Sequence, residues 1–362
     1  MAEVKILEPT PALYDYVLYY ECATKDWKKG AKKTSIKGDG SLMELINWNS
    51  TYSYDPDDAG GKTLFGVTEN AWKAFVKKHH NKNYSPNLNT MGRKGWIDVM
   101  HYYWNDYSYG SKSANYACAF SLFQMAWGGF SGTNLKKLLN TLKGNADIKN
   151  YAFKENGGLY EKIADATHAY NDPMIAYDYI RKANSTYLYN ISTPDRSNKK
   201  YRCGWLTRNT LSFTPYGLFV PTGVSYQTAN LKYESPLSKW EEVAIKWSTE
   251  NISGYVKIMD WGASPESIEK ISNSTYDSAS ESYDNNSSNG SSSNTYGGCG
   301  GVYQLGNYTN APEMQIIYQQ NQSREEILNT LISGSYTPNN VKPCVELISA
   351  EKKKNKKTKS ES

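Results

Sequence analysis

Between Tyr54 and Thr68 the chain reads YDPDDAGGKTLFGVT, and four of its side chains could do chemistry. Asp55 and Asp58 offer carboxylates; Thr63 and Thr68 offer hydroxyls. A carboxylate beside a hydroxyl can act as a base or orient a water molecule, which suits a hydrolytic reaction. Asp58 with Thr63 suits that use, although Asp58 beside the glycines equally suits turn capping. Asp55, directly ahead of Pro56, reads as a turn cap. Thr68, just before Glu69-Asn70-Ala71, reads as the N-cap of a helix. Pro56 presets one backbone angle and Gly60-Gly61 admit conformations closed to other residues, so the loop is stiff. A stiff polar loop running into an amphipathic helix is where a cleft wall is expected.

Other chemistries find little support. His79, His80, His101 and His168 show no H-E-x-x-H or other ligand spacing, so no metal is implied, and no cofactor is expected. The five cysteines (Cys22, Cys118, Cys203, Cys299, Cys344) are widely spaced and form no C-x-x-C pair. They read as mostly buried thiols, in keeping with folding in a reducing cytosol. No serine or cysteine sits in a recognisable nucleophile setting. The formal net charge is +5, from 41 Lys+Arg against 36 Asp+Glu, and much of the excess lies in Lys352–Lys359. The rest is close to neutral, which argues against a nucleic-acid-binding stripe. Residues 1–30 lack the basic start and apolar run of a signal peptide. No stretch approaches the roughly 20 apolar residues that span a bilayer.

The elements that must position the loop are mostly helical. Leu13, Tyr14, Val17, Leu18 and Glu21 recur at helical spacing after Pro11, predicting a first helix over Pro11 to Cys22. Lys25 to Gly40 reads as a loop or short hairpin, and Ser41 to Trp48 as a short helix capped by Ser41. Thr68 to Val76 and Trp96 to Trp104 predict two further helices. Ala114 to Trp127, the most apolar segment, is expected to be the central buried helix, broken by Gly128-Gly129. Helical patterns continue through Leu135–Leu142, Leu159–Tyr170 and Asp172–Ile191. From Thr210 to Tyr233 the pattern suggests extended structure or long loops, with a helix again over Trp240 to Trp247. Residues 272–300 are almost wholly Ser, Asn, Gly, Asp and Tyr and read as a linker. A small segment, 301–350, and a basic tail, 351–362, follow. With 31 Tyr and 10 Trp the chain can build aromatic walls, though most such residues are expected at the rim of a core.

Several of these stretches, in order, resemble the glycoside hydrolase family 108 lysozymes, N-acetylmuramidases of the phage endolysin type. Their pattern runs E-G-G-Y-x-x-D-P-x-D-x-G-G-x-T-x-x-G-I-T. Tyr52 to Thr68 matches it from the tyrosine onward, with Val67 for the usual Ile. His101-Tyr102-Tyr103-Trp104-Asn105 is similar to the family's Y-W segment. Phe120 to Phe130 and Leu135 to Leu142 resemble helices of its peptidoglycan-domain half. Arg181 with Tyr187, then Gly204-Trp205-Leu206-Thr207-Arg208, resembles the closing R-x(5)-Y and G-W-L-N-R signatures, Thr207 replacing Asn. The resemblance covers roughly residues 11–213. It implies a mainly α, lysozyme-like domain over 1–115, a helical half over 116–215 and a less regular extension over 216–271. It further implies cleavage of the β-1,4 bond between N-acetylmuramic acid and N-acetylglucosamine, with glycan strands as the partner. Tyr52, Tyr102 and Trp104 would be substrate contacts, while Trp127 reads as core. The expected location is the host cytoplasm before release to the wall, or the virion, where other virion proteins could meet the C-terminal region.

The resemblance also requires a protonated carboxylic acid at the leaving oxygen, the Glu of E-G-G. Two registers supply that position. An ungapped alignment through the loop puts Asn49 there, and asparagine cannot donate the proton; the chain would then be a wall-binding or virion structural protein on the same scaffold. The other register ends the first helix at Glu21-Cys22-Ala23 and inserts about 28 residues before Tyr52, a length tolerable in a surface loop. The stronger apolar face of the first helix favours Glu21. Glu44 is a third candidate. The expected constellation is therefore Glu21 as acid with Asp58 and Thr63 directing water.

Overall fold

The computed structural model describes residues 4–273 apart from 23, 32, 34–35, 56–59, 80–83, 131, 194–196, 222–225, 227–228 and 251–253. The expected linker, C-terminal segment and tail from 274 onward, together with Asp58 and His80, lie outside the described residues. The fold is mainly α, with two small antiparallel sheets.

Helix α1 (Pro11–Glu21) starts on Pro11, whose missing N–H costs nothing in the first turn. Leu13, Val17, Leu18, Tyr16, Tyr19 and Tyr20 are all buried, so the helix is enclosed on every side. After it the chain makes the expected excursion. The helix expected over Ser41 to Trp48 shrinks to one turn, α2 (Leu42–Leu45). Ile46 leaves the helix to form an antiparallel bridge with Trp27, which closes the excursion on itself. Buried Asp15 of α1 accepts hydrogen bonds from the backbone N–H of Gly40 (3.2 Å) and Leu42 (3.1 Å), fastening the returning chain to α1.

The loop that opened the sequence reading is built on a three-stranded sheet, β1 (Ser53–Tyr54), β2 (Lys62–Leu64) and β3 (Val67–Thr68). Leu64 pairs with Val67, so Phe65-Gly66 form a two-residue hairpin turn. Both have positive φ, +49° and +80°, the combination that matches the twist of the flanking strands. Positive φ is costly for a bulky residue. Phe65 is held there by burial, by an edge contact with Trp48 (4.9 Å) and by its carbonyl, which accepts from Trp96 Nε1 (3.0 Å).

Thr68 then caps α3 (Glu69–Lys78), accepting from Ala71 N at 3.1 Å. Helix α4 (Gly92–Tyr102) continues into a π-helical turn, Tyr103–Tyr107. Helix α5 (Tyr116–Trp127) is the central buried helix, capped by Asn115 and followed by Gly128. Helices α6 (Thr133–Gly144), α7 (Leu159–Ala166) and α8 (Pro173–Ile191) surround it, followed by α9 (Arg202–Leu206) and a second π-helical turn, Thr207–Leu211. One apolar cluster runs from Leu7 through the hairpin and α5 to Ile271, so residues before and after 115 share a core.

The extension is less regular than this body but has elements. Strands β4 (Phe213–Thr214), β5 (Gly217–Pro221) and β6 (Tyr255–Asp260) form the second sheet, with α10 (Leu237–Thr249) and α11 (Pro265–Asn273) alongside. Extended chain near 213–220 and a helix through Trp240–Trp247 were both expected. Buried Arg181 of α8 donates to Glu241 of α10 at 2.9 and 2.7 Å, and Trp261 Nε1 donates to Thr214 O at 2.9 Å. The extension is thus pinned to the helical body.

Candidate active site

Glu21 ends α1 in the interior, 4% exposed. It packs against the turn of the hairpin. A Cβ placed on Gly66 would lie 2.6 Å from Glu21 Cβ, 2.9 Å from its Cγ and 3.3 Å from Trp127. Gly66 is therefore required twice over, for its positive φ and for the room it leaves to Glu21. The loop and the end of α1 fit together at this point.

Across from the hairpin, Arg208 Nη1 donates to Glu21 Oε1, and both side chains are buried. The π-helical turn that carries Arg208 is laced to α1 along its length. Tyr16 hydroxyl donates to Arg208 O at 2.9 Å, and Tyr20 hydroxyl bonds Ser212 Oγ. Thr207, where the resemblance expects Asn, turns its hydroxyl back to Cys203 O (2.7 Å). A π-turn widens the helix by one residue, the kind of irregularity often found at functional positions. In the sequence Arg208 belongs only to the closing signature, and its pairing with Glu21 has no local signal.

The other expected residues fall in different places. Thr63 is buried on β2, opposite Thr68 in register, with its hydroxyl directed to Gly61 O (3.4 Å). Asp55 reaches to the far half of the chain: its Oδ2 accepts from Lys200 Nζ (3.2 Å) and Tyr201 hydroxyl (3.4 Å), while the turn it was read to cap lies outside the described residues. Asn49 is exposed in a turn, its backbone N–H bonded to Asn47 Oδ1. Glu44 is exposed and paired with Arg93 at 2.6 Å.

Of the expected substrate contacts, Trp104 needs correction. It is fully buried, its N–H donates to Leu7 O (2.8 Å), and Phe120 packs edge-on against it (5.3 Å). It has no face to offer a glycan. Trp127 is core, as expected. Tyr52 is half-buried beneath Lys62 Nζ, 4.8 Å from its ring centre. Tyr102 is half-buried and lines an open cavity of about 340 Å³ with Phe75, His79, Asp98, His101, Asn105 and Asp106. Burial, then the neighbouring Tyr107, Asp106 and Tyr109, push its phenol up to about 12. His79 lies 3.9 Å from Asp106, and His101 shares a 3.0 Å hydrogen bond with Tyr14. Among the described residues no group of three or more His, Cys, Asp or Glu is placed to hold a metal ion, and no helix is long and apolar enough to cross a membrane.

Residues 42–129 match the family model described as glycosyl hydrolase 108, so this segment is similar to that family. The matched segment holds the loop, Gly66 and α5; Glu21 and Arg208 lie on either side of it. No match to the chain was found among curated proteins or solved structures.

Proposed function

We propose that this chain hydrolyses the β-1,4 bond between N-acetylmuramic acid and N-acetylglucosamine in peptidoglycan, with Glu21 as the general acid. The observation that carries this reading is the fit of Gly66 to Glu21: the glycine of the hairpin motif has its space filled by this glutamate. Asn49, the rival for the position, is an exposed turn residue.

In this reading Glu21 protonates the departing glycosidic oxygen as the sugar ring takes on oxocarbenium character. Arg208 fixes the plane of the carboxyl group through Oε1. Thr63 and Asp58 orient the attacking water in this reading, Asp58 on its place in the sequence pattern. Tyr52 and Tyr102, each with a partly open ring, contact the glycan. The wall is the site of action, reached by release from the host cytoplasm or by carriage on the virion.

The test is loss of turbidity of exposed cell walls, with reducing-end analysis of the fragments to identify the bond cut. Glu21→Gln should lower the rate by roughly 10²–10⁴-fold, the usual worth of a general acid. Wild-type rates in Glu21→Gln would sink Glu21 as the acid. Wall retention without any cleavage by the wild type would instead identify a non-catalytic wall binder.

A further inference from the structure

Helix α1 ends without the usual devices. No glycine follows Glu21, no basic residue occupies the last turn, and Cys22 leaves in an extended conformation (φ −87°, ψ 133°). Helix ends leave carbonyls in need of donors, and here the need falls on the turn that carries Glu21. The donor comes from the excursion between α1 and the hairpin. Lys33 Nζ bonds Tyr19 O at 3.1 Å and Cys22 O at 3.2 Å, one carbonyl on either side of Glu21. Its ammonium is roofed by the rings of Tyr19 and Trp27, each 5.5 Å away.

A lysine here serves two ends. Its cation complements the negative end of the helix, an effect confined to the last turn. It also adds positive charge near Glu21. The groups facing Lys33 are Glu21 and Cys22 on the end of α1 and Asp26 on the 3-10 turn Thr24–Asp26. Burial lowers the lysine to about 8 against the opposing pull of Cys22, Asp26 and Glu21, so it stays charged through neutral pH. The excursion is the very insertion that separates Glu21 from the rest of the motif.

We propose that Lys33 is a positioning residue for Glu21, fixing the backbone on both sides of it and setting, through its charge, the pH at which Glu21 gives up its proton. This rests on the reading of Glu21 as the acid. A nearby cation favours the ionised carboxylate, so removing it should keep Glu21 protonated to higher pH.

The experiment follows rate against pH for the wild type, Lys33→Met and Lys33→Arg, on exposed walls. Glutamate labelled at the side-chain carboxyl gives a parallel NMR titration of Glu21, its signal assigned by loss in Glu21→Gln. In Lys33→Met the alkaline limb and the Glu21 titration should both move up by about one pH unit. In Lys33→Arg, which keeps the charge, both should stay within a few tenths of the wild type. Removing one charged partner from a buried cluster is destabilising, so cooperative unfolding of Lys33→Met is checked before its rates are compared. If Lys33→Met lowers the rate but leaves limb and titration in place, Lys33 only braces the helix and the proposal fails. If Lys33→Met does not fold, the comparison passes to Lys33→Gln under the same criteria. If the wild type cleaves no wall yet the NMR titration shifts as stated, Lys33 sets the proton affinity of Glu21 and the muramidase reading is what fails.

Discussion

Gly66→Ala offers the sharpest test of the site's construction. The substitution adds one methyl group where two penalties coincide. The residue has φ +80°, and an L side chain in the left-handed region costs about 1–2 kcal/mol. The new Cβ would also stand 2.6 Å from Glu21 Cβ and 2.9 Å from Cγ, inside any normal contact. Forcing a methyl group into a filled interior typically costs about 1–3 kcal/mol. Together these predict a loss of roughly 2–5 kcal/mol, about 4–20 °C in melting temperature for a folded region of this size. Urea unfolding of the two proteins measures it directly. Lysis of walls should fall as well, because relief requires Glu21 to move. Gly61→Ala is the control: it has φ +68° and open space around its would-be Cβ, so only the backbone penalty applies. Equal losses for the two variants would mean that Glu21 does not press on the turn, and the register through Glu21 would lose its support.

Three further outcomes are expected. Arg208→Met removes the guanidinium from a buried carboxylate and should destabilise the fold by about 3–5 kcal/mol, with much of the loss recovered in Glu21→Leu/Arg208→Met; denaturant midpoints decide it. Thr68→Ala deletes the cap of α3 and should cost about 1 kcal/mol in the same assay, while the lytic rate per folded molecule is unchanged. Asn49→Glu should neither raise nor restore lysis, alone or in a Glu21→Gln background, because the side chain stands in an exposed turn; a gain in turbidity clearance would move the acid to position 49.

Much of the helical body was legible because its signals are local. The apolar spacing behind Pro11 and the run from Ala114 to Trp127 each end on residues that stop a helix or exhaust its buried face. Thr68 could be read as a cap from its neighbours alone. What escaped notice depends on distant partners. Helix α2 is short because Ile46 is claimed by Trp27. The reach of Asp55 to Lys200 and Tyr201 could not be read because those partners are far away in sequence. Trp104 and Tyr102 belong to one aromatic run, yet one is sealed in the core and the other reaches a cavity. The two π-turns rotate side chains by an extra residue, and no periodicity announces that in advance. Gly66 announced a turn but not the glutamate behind it.

The pairing of Glu21 with Arg208 spans 187 positions of sequence, and this has a consequence for synthesis. At about 5–20 residues per second, the ribosome makes Arg208 roughly 10–40 s after Glu21, across those 187 positions. Until then the carboxylate has neither its guanidinium nor the Tyr16 and Tyr20 ties that hold α1 to the second π-turn. A chain terminated before Arg208 would carry the whole recognisable loop and still lack the partner of Glu21. On the reading of Glu21 as the acid, cleavage waits for the synthesis of Arg208, well after the loop has been made, and fragments that stop short of it should not lyse walls.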